Sequence, residues 1–121
     1  MARFRMGALV DDTEQTVSAT AAYITSIRCY PGRGSTADIY LQVWNDANPN
    51  PATTEPDLVI EILQTGGTAL SANVRPTVAV FPGGLRFTTA ITALVTTTAF
   101  GATVPTGADV PAVEIDYAPI L

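Results

Sequence analysis

The sequence predicts an all-β protein folded as an antiparallel two-sheet sandwich, and three observations predict it. Threonine, valine and isoleucine dominate the ordered-looking runs, and β-branched side chains suit a pleated sheet better than a helix. Apolar and polar residues alternate along several short runs, the period of a strand with one buried face. Nine glycines and nine prolines punctuate the chain at short intervals, as turns do between many short strands. With 121 residues a single sandwich domain is expected.

Residues 1–14 are expected to form an extended N-terminal arm, and residues 15–121 the sandwich. Gln15 to Tyr30 reads as β structure broken near Ala21. Pro31-Gly32-Arg33-Gly34-Ser35 reads as a turn, because proline fixes φ and glycine tolerates positive φ. That turn is expected to join the preceding strand to Ala37–Asn45 as a hairpin. In the latter, Ile39, Leu41 and Val43 share one face, and Asp38, Tyr40, Gln42 and Trp44 the other.

Pro49, Pro51 and Pro56 make the next segment a surface loop. Asp57–Leu63 resumes as a strand with Leu58, Ile60 and Ile62 on one face, and Gln64–Thr68 turns the chain. Val74–Phe81 is a strand interrupted by Pro76, which suits a sheet edge. Pro82-Gly83-Gly84 reads as a tight turn and Leu85–Thr98 as the longest β-like run. Ala112–Tyr117 closes the fold, with Val113, Ile115 and Tyr117 opposing Glu114 and Asp116. Six to eight strands with no convincing helix point to a jelly-roll-like or immunoglobulin-like sandwich.

Composition argues against catalysis. The chain has no histidine, which removes the commonest general base and metal ligand. Cys29 is the single cysteine, sits in an apolar run, and is expected in the core. Asp46, Asn48, Asn50 and Asp57 imitate the ligand spacing of a calcium loop, but Pro51 stands where the turn glycine belongs, so they are expected to be turn formers. Glu114 and Asp116 are expected on a solvated strand face rather than in an acid–base pair. No catalytic residue, cofactor or metal is expected.

Six dispersed arginines against eleven acids give a net charge of −5, which argues against nucleic acid as a partner. No apolar stretch approaches the roughly 20 residues of a membrane helix, so no membrane partner is expected, and MARFRMGALV lacks the long apolar core of a signal peptide.

Interface candidates are Arg3, Phe4 and Arg5 of the arm, together with Tyr40 and Trp44. For the aromatic pair, core packing, a protein interface and a ligand-stacking platform remain open. Thr88–Phe100 carries no charge, and there is no lysine to blunt sheet edges. Contact of that face with another subunit is expected.

The runs YLQVWNDANPNPATTEPDLVIEI, FPGGLRFTTAITALVTTTAFG and VEIDYA resemble a group of small tailed-phage virion proteins. The features that carry the resemblance fall on Tyr40, Trp44, Pro56, Asp57, Gly83, Gly84, Phe87, Thr96, Thr97 and Tyr117, over residues 20–118. The resemblance implies a non-enzymatic capsid decoration or cement protein, made in the host cytoplasm and carried on the capsid surface. It further implies the major capsid protein as partner and a homo-oligomer, a trimer being favoured. A glycan-binding module, or a head-fibre or tail module, is the alternative.

Overall fold

A computed structural model describes residues 2–6, 14–32, 38–63, 76–106 and 110–120. It is all-β, without a helix among the described residues. The strands are β1 (Ala2–Met6), β2 (Gln15–Ser18), β3 (Ala22–Tyr30), β4 (Ile39–Trp44), β5 (Leu58–Ile62), β6 (Thr77–Phe87), β7 (Ile91–Thr96) and β8 (Ala112–Pro119). They form two four-stranded sheets, β1-β8-β3-β6 (sheet A) and β2-β7-β4-β5 (sheet B).

Every pairing within the sheets is antiparallel. Four of them nest: β4 with β5, β3 with β6, β2 with β7 and β1 with β8. A long hairpin rolled up so that its successive pairs alternate between two sheets has this connectivity, which is that of a jelly roll. Of the two expected sandwich types, the strand order is the jelly roll's.

The core lies between the sheets. Sheet A contributes Ala22, Ile24, Ile27, Cys29, Phe87, Val113 and Ile115, and sheet B contributes Val17, Ile39, Leu41, Val43, Ile62, Ile91, Ala93 and Val95. Burying one such aliphatic side chain stabilises the fold by roughly 1.5–3 kcal/mol. The inward set of β3 changes parity, from Ala22 and Ile24 to Ile27 and Cys29. The β3–β8 register slips between Ile24 and Ser26, and one extra residue there turns the following side chains to the other face.

Three local expectations are corrected. The strand over 37–45 does not form a hairpin with its predecessor: β4 lies in sheet B between β5 and β7, while β3 lies in sheet A. The connecting turn lies partly outside the described residues. Pro82-Gly83-Gly84 is not a turn between strands but part of β6. Val80 stands opposite Ser26 and Leu85 opposite Ile24, so residues 81–84 bulge against Thr25 alone. Gly83 and Gly84 take φ of 80° and 85° there, a conformation that glycine adopts freely. The chain instead leaves sheet A for sheet B at 88–90, between β6 and β7.

Residues 2–6 of the expected arm are laid along β8 as edge strand β1. The expected turn at Gln64–Thr68 lies outside the described residues.

Candidate functional site

Alternation along four adjacent strands places two rows of side chains on the outer face of sheet A. One row runs Arg5, Glu114, Arg28, Val78, and the next Arg3, Asp116, Ser26, Val80. Arg-x-Arg on β1 thus meets Glu-x-Asp on β8 in register.

Asp116 is the hub of the charged part. Arg3 donates to it from Nε to Oδ1 at 2.7 Å and from Nη2 to Oδ2 at 3.3 Å. The Ser26 hydroxyl donates to Oδ2 at 2.9 Å, and Arg28 Nη1 lies 3.5 Å from the same oxygen. Glu114 lies 3.6 Å from Arg5 Nε and 3.9 Å from Arg3 Nη1.

The Arg3 hydrogen bond, joined by that of Ser26 and the charges of Arg3 and Arg28, holds the Asp116 carboxyl below its ordinary range, while burial acts in the opposite sense. Arg3 is held further into its charged form, chiefly by its hydrogen bond to Asp116. A carboxylate held ionised by several donors is a poor general base, and this network ties β1, β8 and β3 together. The acids that Arg3 and Arg5 meet are therefore on this chain's own β8.

Phe4, between the two arginines in sequence, faces inward and packs against the core. At the other end of the rows the face becomes apolar. Val78 is 49% and Val80 66% exposed, on edge strand β6.

The outer face of sheet B over β4 and β7 is closed by the chain itself. Gln42, Trp44, Thr92, Leu94 and Thr96 have the outward parity of β4 and β7, yet all are buried. The segment after β4 covers one end: Trp44 Nε1 donates to Thr54 O at 2.9 Å, and the Thr92 hydroxyl donates to Asp46 O at 2.6 Å. The segment after β7 covers the other: Gln42 Nε2 donates to Thr98 O at 3.2 Å, to Gly101 O at 2.9 Å and to Thr96 Oγ1 at 2.7 Å. The uncharged face expected to meet another subunit is, over Thr92–Thr96, covered by these two segments of the same chain.

Trp44, wholly buried, presents no ring to a ligand or partner, and it shares no exposed platform with the half-buried Tyr40.

The side chains of the calcium-like loop are occupied locally. Asp46 Oδ1 accepts from Asn48 N at 2.8 Å, Asn50 Oδ1 from Ala52 N at 3.1 Å, and Asp57 Oδ2 from Asn45 N at 2.6 Å. These contacts shape turns rather than converge on one point. The Cys29 thiol is buried in the core and pushed by that burial up to about 12, so it stays protonated and unreactive. Among the described residues no group of three or more His, Cys, Asp and Glu side chains could hold a metal ion.

Sequence reasoning singled out Arg3 and Arg5 but read Asp116 as solvated, whereas it is buried as the hub for Arg3, Ser26 and Arg28, and it missed Val78 and Val80 as exposed. The signal for the hub was available in the matched two-residue spacing of the basic and acidic pairs. No protein-family model, curated protein or solved structure matches this chain.

Proposed function

We propose that this chain is a non-enzymatic structural protein of a phage virion, a decoration or cement protein on the capsid surface that stabilises the head by protein–protein contacts. The observation that carries the reading is how the chain spends its reactive groups. Its best charged cluster, centred on Asp116, is consumed in strand-to-strand pairing, its thiol is sealed in the core, and it has no histidine. What it offers outward instead is uncharged apolar side chains near sheet edges. The resemblance of residues 20–118 to small tailed-phage virion proteins supplies the setting, with the major capsid protein as partner and a homo-oligomer, a trimer favoured, as the assembling unit. Jelly-roll sandwiches serve in both capsid and lectin domains, and fold alone does not choose between them. Burial of Trp44 removes the ring on which a glycan would stack.

Binding to capsid seams would stabilise the shell by mass action, since the bound form exists only on the assembled particle. The test is incubation of the purified chain with empty shells. Saturable occupancy and a raised shell disassembly temperature are expected. Failure to bind shells, together with absence of the chain from purified virions by mass spectrometry, overturns the reading.

A further inference from the structure

Two of the four sheet edges present apolar side chains to solvent, and they differ in charge. On β6 the outward Val78 and Val80 are followed, beyond the bulge, by exposed Arg86. On β5 the outward Val59 is 39% exposed, and Leu63, just past the strand, 66%. Between them stands exposed Glu61, with exposed Glu55 and Asp57 just before the strand.

Among the described residues each of these strands has a neighbour on one side only. An open edge with exposed apolar side chains and no lysine is a template for pairing with another extended chain. The charges decide what that chain is. Pairing β6 with β6 of a second copy gives Arg86 no carboxylate on the other edge, and pairing β5 with β5 crowds carboxylates. Pairing β6 with β5 can set a valine against Val59 or Leu63, and it brings the only edge of the two that carries an exposed arginine to the edge that carries Glu55, Asp57 and Glu61. Cross-strand apolar and opposite-charge pairs each stabilise a sheet, whereas like charges destabilise it.

We infer that the β6 edge of one copy receives the β5 edge of a second copy, so that sheet A of one continues into sheet B of the next. This contact joins two different surfaces, so every copy keeps one free edge of each kind until the assembly closes on itself. Two copies close if each gives its β5 edge to the other's β6 edge across a two-fold axis, three or more close as a ring, and an assembly that does not close grows as a filament. The contact deepens the assembly reading above and rests on it for its purpose.

The experiment is sedimentation analysis of the purified full chain over a wide concentration range. A concentration-dependent mass above that of the monomer is expected. Val80→Glu and Glu61→Arg should each weaken association by roughly tenfold or more, and Glu61→Arg combined with Arg86→Glu should restore most of it. All three side chains are exposed, so unfolding midpoints should stay at the wild-type value, which separates loss of contact from loss of fold. A monomer at every concentration overturns the inference, as does association that ignores Val80→Glu or a double variant that stays as weak as Glu61→Arg. Shell binding is scored separately on the same samples. An oligomer that ignores shells defeats the decoration reading alone, and a monomer that binds them defeats this contact alone.

Discussion

Arg3 and Asp116 are 113 residues apart in sequence and face each other across β1 and β8, with Arg3 Nε 2.7 Å from Asp116 Oδ1. The pair fastens the edge strand to the strand that also borders β3, and Ser26 and Arg28 converge on the same carboxylate from β3. Because the carboxyl is held below its ordinary value, its contribution is complete above the ordinary carboxylate range and disappears as pH falls through the lowered value. The wild-type unfolding midpoint should therefore decline below about pH 4. Asp116→Asn should lower the midpoint at neutral pH by roughly 3–6 °C, the scale of about 1 kcal/mol in a chain of this size, since the amide keeps part of the hydrogen bonding. The variant should also decline less steeply in acid. Thermal melts of both proteins from pH 7 to 2.5 check this, and parallel curves would remove Asp116 from the account.

Gln42 places two amide hydrogens among three acceptors, Thr96 Oγ1 at the end of β7 and the Thr98 and Gly101 carbonyls in the segment after it. Alanine there removes the donor to the carbonyl of Gly101, leaves that of Thr98 with the Thr96 hydroxyl alone, and opens a cavity. Gln42→Ala should destabilise by about 2–4 kcal/mol. Gln42→Glu should be worse despite its matched shape, because it aims a carboxylate at carbonyl oxygens. Denaturant unfolding of the two variants side by side gives the order, and the reverse order would mean that the amide is not the clamp.

The glycines of the β6 bulge should respond unequally to alanine. Both have positive φ, so either substitution costs about 1 kcal/mol. A Cβ on Gly83 meets nothing within 4 Å, whereas one on Gly84 comes within 2.9 Å of the Tyr23 Cβ, an atom fixed to the backbone of β3. Gly84→Ala should therefore be the more destabilising by about 1–3 kcal/mol. Equal losses in urea titrations would show that the bulge relaxes.

Cys29 is wholly buried between Val113 and Thr77 in the register of sheet A. A thiol-reactive dye should leave the native chain unlabelled at pH 8 and label it fully in denaturant. Rapid labelling without denaturant would contradict the burial that raises the thiol to about 12.

Much of the fold was legible because burial of one face leaves alternation in the sequence. Ile39, Leu41 and Val43 lie inward as their spacing implies. Even the parity change in β3 was written in the three-residue step from Ile24 to Ile27. The closed face of sheet B was not legible. Gln42, Thr92 and Thr96 look solvated by composition, and only the path of two loops, which leaves no period, buries them. Punctuation misled at Pro82-Gly83-Gly84, where positive φ serves a bulge, while the reversal at 88–90 uses Thr88, Thr89 and Ala90. The β3–β4 hairpin failed because consecutive strands here pass between sheets. At the candidate surface, charge spacing could be read, but which valines stay exposed depends on which strand becomes an edge.

The nesting of the strand pairs also sets an order of events. β4 and β5 are joined by the short segment 45–57 and can meet first. Once they have met, β3 and β6 are already neighbours, then β2 and β7, so each closure shortens the loop left for the next. β1 and β8 span the longest stretch and join last, which makes a folding route of local steps out of contacts that are distant in sequence. Run backwards, the same order makes β1 the first strand to exchange its amide hydrogens.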